Sequence, residues 1–90
     1  MIIEREIEVI NKLGLHARAA AKLVKLSAGY QSAINLDRDG KSVDAKSIMG
    51  VLMLAAAQGA KLKLMVEGDD AEQAADGIES LFLNYFDEGE

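Results

Sequence analysis

The only histidine, His16, stands where a loop of residues 11–15 runs into a helical stretch that begins near Ala17, and Arg18 follows two residues later. A helix N-terminus presents unpaired backbone N–H groups and partial positive charge. An anion held there is stabilised by about 0.3 to 1 kcal/mol. Imidazole is a nucleophile that attacks phosphorus, and a guanidinium two residues on, in the first turn, can fold back to give charge-assisted, bidentate bonds to phosphate oxygens. The pair therefore suits a phosphohistidine, with His16 as acceptor and Arg18 stabilising the phosphate. A lone histidine at a helix start also reads plainly as a cap or a surface residue. Spacing alone leaves both readings open.

Other chemistries lack their parts. Without cysteine there is no thiolate nucleophile, no disulfide and no Cys-based zinc site. One histidine among scattered carboxylates has no recognised ligand spacing, so neither a metal nor a cofactor is expected. Gly14 suits a turn before His16, but one glycine is not a phosphate-binding P-loop, and no nucleophile elbow supports a Ser-His-Asp hydrolase. A net charge of −5 with two Tyr, two Phe and no Trp argues against nucleic-acid binding.

The elements that must position His16 follow from hydrophobic periodicity. Ile3, Ile7 and Val9 alternate with glutamates as in a half-buried strand, with Arg5 on the apolar side. A helix is expected over residues 17–28, ended by Gly29. Ser32, Ile34 and Leu36 mark a second strand, and residues 37–40 a turn into a short strand over 41–44. Ser47 can cap a helix running to about residue 57. Leu62, Leu64 and Val66 mark a fourth strand. A last helix carries Ala71, Ala74, Ala75, Ile78, Leu81, Phe82 and Tyr85 on one face, opened by an Asp70/Gln73 capping box.

The order β-α-β-β-α-β-α predicts an α+β fold, residues 1–90 forming one domain with three helices on one face of a four-stranded, mainly antiparallel sheet. The last strand should lie between the first and second. An acidic start in place of a secretory signal, and no apolar run of about 20 residues, point to the cytoplasm without membrane insertion.

Two surfaces suggest partners. Arg18, Lys22 and Lys25 share a face of the first helix opposite Ala20, Leu23, Val24 and Ser27, which gives a basic strip for an acidic partner. In the second helix Ile48, Val51, Leu52 and Ala55 make a core stripe, yet Met49 and Met53 add apolar surface around the side. So small a domain cannot bury a helix all round, so docking is expected at Ile48, Met49, Leu52 and Met53, with Lys22 and Lys25. A phosphoryl group on Ser47 would add about −1.5 to −2 charge beside Met49.

Residues 11–18, Asn-Lys-Leu-Gly-Leu-His-Ala-Arg, resemble the active-site signature of the HPr family, the histidine-containing phosphocarriers of bacterial phosphotransferase systems. Residues 46–52, Lys-Ser-Ile-Met-Gly-Val-Leu, resemble the family's serine-site segment. The resemblance implies an open-faced β-sandwich and phosphorylation of His16 on Nδ1 with help from Arg18. It implies enzyme I as donor, enzyme IIA-type proteins as recipients, and HPr kinase/phosphorylase acting on Ser47. A monomeric phosphoryl-transfer protein is expected rather than a stand-alone enzyme, serving sugar uptake or a nitrogen-related branch. The alternative is a regulatory binding module controlled at Ser47, with His16 incidental. One departure is Ala19, where the family usually has proline; the loss of rigidity at the helix start is worth a few tenths to about 1 kcal/mol.

Overall fold

The structure, a computed structural model, describes residues 1–89. Its elements are β1 (Ile2–Glu8), α1 (Ala17–Ala28), β2 (Ala33–Arg38), β3 (Lys41–Asp44), α2 (Ile48–Met53), β4 (Lys61–Glu67) and α3 (Ala71–Leu83), followed by a 3-10 turn at Tyr85–Asp87. The sheet order is β1-β4-β2-β3 with every pair antiparallel, so the last strand does lie between the first and second. Register places Val66 between Ile3 and Ile34, and Leu64 between Arg5 and Leu36. Because side chains alternate faces along a strand, this stacks the apolar set into one layer. Ile7, Ile34, Leu36, Leu62, Leu64 and Val66 are buried there against Ala20 and Leu23 of α1, Val51 of α2, and Ala74, Ile78 and Phe82 of α3. No described helix is long and apolar enough to cross a membrane.

Arg5 lies on the helix-covered side and is accommodated by ion pairs with Asp76 at 2.7 Å and Glu79 at 3.1 Å, both on α3.

Three local expectations need correction. The first concerns α2, which stops at Met53 instead of continuing to about residue 57. Arg38 Nη1 donates to the carbonyls of Leu54 (2.7 Å) and Ala55 (3.1 Å), and Lys41 Nζ to that of Met53 (3.0 Å). Two cations from the β2–β3 hairpin thus satisfy the carbonyl end of the helix. Ala55 then turns into the left-handed region at φ 50°. Its buried face is also different: Val51 and Leu54 point inward, while Ile48, Leu52 and Ala55 are exposed.

The second correction is at Asp70, which opens α3 without a side-chain cap bond. Its carboxylate accepts instead from the backbone N–H groups of Gln31 and Ser32, both at 2.9 Å, and from the Ser32 hydroxyl. Those donors, in the turn between α1 and β2, have no ladder partner of their own, so they outcompete the helix. The third lies beyond α3. The helix ends at Leu83 and the chain turns left-handed at Tyr85, so Tyr85 is left 38% exposed and Phe86 takes the buried place, edge-on to Phe82 with centroids 4.7 Å apart.

The Asp70 joint makes stability depend on pH. The Ser32 hydroxyl first, then the Gln31 N–H, hold the Asp70 carboxyl below its ordinary range. A carboxyl depressed in the folded state stabilises above its unfolded range and loses that contribution as pH falls through the folded one. Asp70→Asn should therefore lower the thermal midpoint at about pH 7, and the gap to the wild type should close below about pH 4. A gap that stays constant across a series of melts from neutral to acid pH would contradict this account.

Candidate functional site

The segment that carries His16 is held against the α2–β4 loop by backbone hydrogen bonds. Val9 N donates to Ala60 O (2.9 Å), Gly59 N to Val9 O (2.7 Å), and Leu15 N to Ala56 O (2.9 Å). Gln58 adds a side-chain bond to Ile10 O. Gly14 sits at the closest approach, with φ 69°, and a Cβ there would lie 2.6 Å from Ala56 O and 2.9 Å from Ala57 Cα. Only glycine meets both demands. Inside the loop, buried Asn11 spans the turn by donating to Gly14 O at 2.8 Å. Leu15 then plugs the core beside the helix start.

His16 is thereby fixed as the N-cap of α1, with extended backbone, φ −74° and ψ 178°. Its carbonyl accepts from Ala20 N at 2.8 Å. Its Nδ1 accepts from the backbone N–H of Arg18 at 3.3 Å, so this nitrogen faces the positive end of the helix. The other ring nitrogen, Nε2, is in contact with the carboxylate of Glu88. The imidazole keeps 29% of its surface exposed and the Glu88 side chain 11%. Burial pushes the Glu88 carboxyl up, but the hydrogen bonds from His16 and Asn11 and the charges of His16 and Lys22 outweigh it, leaving a net downward shift.

Leu13, His16, Ala17, Arg18, Lys22, Asp87 and Glu88 line one open hollow. Arg18 is exposed at its edge, and among the described residues its guanidinium makes no ion pair. Lys22 is half-buried and donates to Phe86 O at 2.6 Å, which ties it to the C-terminal turn, while Lys25 is exposed in the last turn of α1. Ser47 caps α2 as expected, its Oγ accepting from Gly50 N at 3.1 Å. Beside it Met49 and Met53 are 65% and 57% exposed, with Ile48 and Leu52 also at the surface.

The hollow can hold an anion: backbone N–H groups of the helix start, an exposed guanidinium at its rim and a nucleophilic nitrogen between them. Glu88 was missed as the neighbour of His16, and Asn11, read only as a loop residue, as the donor that ties Gly14 and Glu88 together. Asn11 carried a signal, since a buried asparagine before Leu-Gly suits a side-chain-bridged turn. Glu88, 72 residues away in sequence, carried none.

Comparison with known proteins adds family evidence. A family profile described as "PTS HPr component phosphorylation site" matches residues 3–84. The chain is 48% identical to a phosphocarrier protein HPr of Cupriavidus necator, covering 99% of this chain and 100% of that one. It is 50% identical to an HPr of Pseudomonas aeruginosa, covering 94% and 96%. Among solved structures, an HPr from Thermoanaerobacter tengcongensis superposes with a TM-score of 0.93 at 44% identity, over 96% of this chain and 97% of that one.

The close approach at Gly14 sets a cost on any side chain there. Gly14→Ala combines a left-handed φ with a clash against backbone, and should destabilise the protein by at least about 2 kcal/mol in urea unfolding. A loss below about 0.5 kcal/mol, within the range of ordinary surface substitutions, would mean that the two loops are not held at this distance.

Proposed function

The chain belongs to the HPr family of phosphotransferase-system phosphocarriers, and from that membership we propose that His16 takes a phosphoryl group from phospho-enzyme I and hands it to enzyme IIA-type proteins. The observation that carries the reading is the orientation of His16: Nδ1 accepts from the Arg18 N–H at the positive end of α1, in an imidazole that keeps 29% of its surface exposed. As the N–P bond forms, phosphoryl oxygens take over the Arg18 N–H now pointed at Nδ1, and the guanidinium folds over them. The protein is a relay, cytoplasmic and monomeric in this reading, and not a turnover enzyme.

Docking falls to the exposed apolar surface of Ile48, Met49, Leu52 and Met53, with Lys25 and the hollow's rim beside it. Methionine adapts to more than one partner surface, which suits a carrier that must fit a donor and several recipients in turn.

Ser47 supports a second, compatible role. Its Oγ is half-exposed at the start of α2, next to Ile48 and Met49. Phosphorylation by an HPr kinase/phosphorylase would keep a cap oxygen on Gly50 N while placing about −1.5 to −2 charge on the docking surface. Docking would weaken without unfolding.

Two measurements test the relay. With enzyme I and phosphoenolpyruvate, the wild type should gain phosphate that is labile in acid and stable in base. His16→Ala should gain none, and Arg18→Ala should gain it about 10- to 100-fold more slowly, the value of one charge-assisted bond. Label retained by His16→Ala would overturn the assignment. In the same assay Met49→Glu should raise the KM for the carrier about 10-fold while kcat and the thermal midpoint hold, and a kcat effect instead would take docking away from α2.

A further inference from the structure

We propose that Glu88 is a positioning residue of the relay: its carboxylate takes the Nε2–H of His16 and so leaves the lone pair on Nδ1, the nitrogen at the α1 N-terminus. The hydrogen bonds around the ring favour this arrangement. Arg18 N–H can only donate, so its 3.3 Å contact favours the lone pair on Nδ1 without enforcing it, and the neutral ring then carries its proton on Nε2. A carboxylate can only accept, so it is the right partner for that proton. The consequence for transfer rests on the phosphohistidine reading above, whereas the ring geometry does not.

The contact is built rather than incidental. Asn11 Nδ2, itself buried, donates to the second carboxylate oxygen of Glu88 at 3.2 Å, so both oxygens have fixed partners. The backbone that brings Glu88 to the ring runs left-handed through Tyr85, Phe86 and Asp87, at φ 56°, 52° and 62°. None is glycine, so each holds a conformation that side-chain-bearing residues rarely adopt. The turn is kept by the fully buried Phe86 ring against Phe82 and by Lys22 donating to Phe86 O. Backbone held in an unfavourable region by its surroundings is typical of residues that must reach a functional group.

In the transfer step the Nδ1 lone pair forms the N–P bond while the donor's bond to phosphorus breaks and its electron pair leaves with the donor. The ring becomes cationic with the Nε2 proton in place, opposite the Glu88 carboxylate, which offsets the new charge. In the onward step the N–P bond breaks towards the recipient's nucleophile and its electron pair returns to Nδ1, so the proton on Nε2 is neither gained nor lost.

The test reads the ring first and transfer second. Nitrogen-15 NMR of the unphosphorylated full chain, at alkaline pH where the ring is neutral, should show Nδ1 unprotonated and Nε2 protonated. Glu88→Gln, whose side-chain oxygen still accepts from Nε2–H, should keep that tautomer, and Glu88→Ala should shift the ring to a mixture. In phosphorylation by enzyme I, Glu88→Ala should lose about 10-fold in kcat with KM unchanged, and Glu88→Gln should recover part of it. A Glu88→Ala ring with the wild-type tautomer overturns this proposal and leaves the relay standing. A wild type that takes no phosphate, with the tautomer responding as stated, overturns the relay and the transfer role of Glu88 with it.

Discussion

Two loops far apart in sequence are fastened edge to edge, and the site exists because of that seam. The antiparallel pairing of β1 with β4 delivers the end of one strand beside the start of the other. From there Val9, Gly59 and Ala60 continue the pairing beyond the sheet, and Leu15 N finds Ala56 O. The seam leaves no room for a side chain at Gly14. With the loop fixed, His16 has one backbone conformation and its ring meets the first turn of α1 in one orientation.

The same seam explains why α2 is short. A helix continuing through residue 57 would turn Ala56 O along its own axis, away from Leu15 N. The chain instead reverses at Ala55, and Arg38 and Lys41 take up the carbonyls left open. The surface that Ile48, Met49, Leu52 and Met53 present is thus set by a hairpin on one side and the histidine loop on the other.

Much of this was legible from residue order. Period-two alternation located three of the strands and the turn at residues 37–40 the fourth, Gly29 and Ser47 marked helix boundaries, and His16 and Arg18 line one hollow. The strands were legible because burial on one face imposes alternation wherever a strand forms. Local propensity misled where a distant group held the deciding bond. Residues 55–57 are alanines and favour helix, yet the turn is dictated by Leu15. Asp70 has the makings of a cap, but Gln31 and Ser32 claim its carboxylate. Tyr85 fits the apolar period of α3 only if that helix continues, and burial of Phe86 is what stops it. Glu88 was invisible for the same reason, since nothing near it in sequence speaks of an imidazole.

The donors at the start of α1 belong to the main chain, and no substitution removes an N–H except one to proline. That part of the anion site is written in backbone and is indifferent to which side chains clothe the helix. The outward residues of α2 are the reverse, free to vary because Val51 and Leu54 alone hold the helix to the core. On the proposed reading, holding the load and choosing the partner therefore rest on separate parts of the chain, the first on main-chain N–H groups and the second on a few exposed side chains.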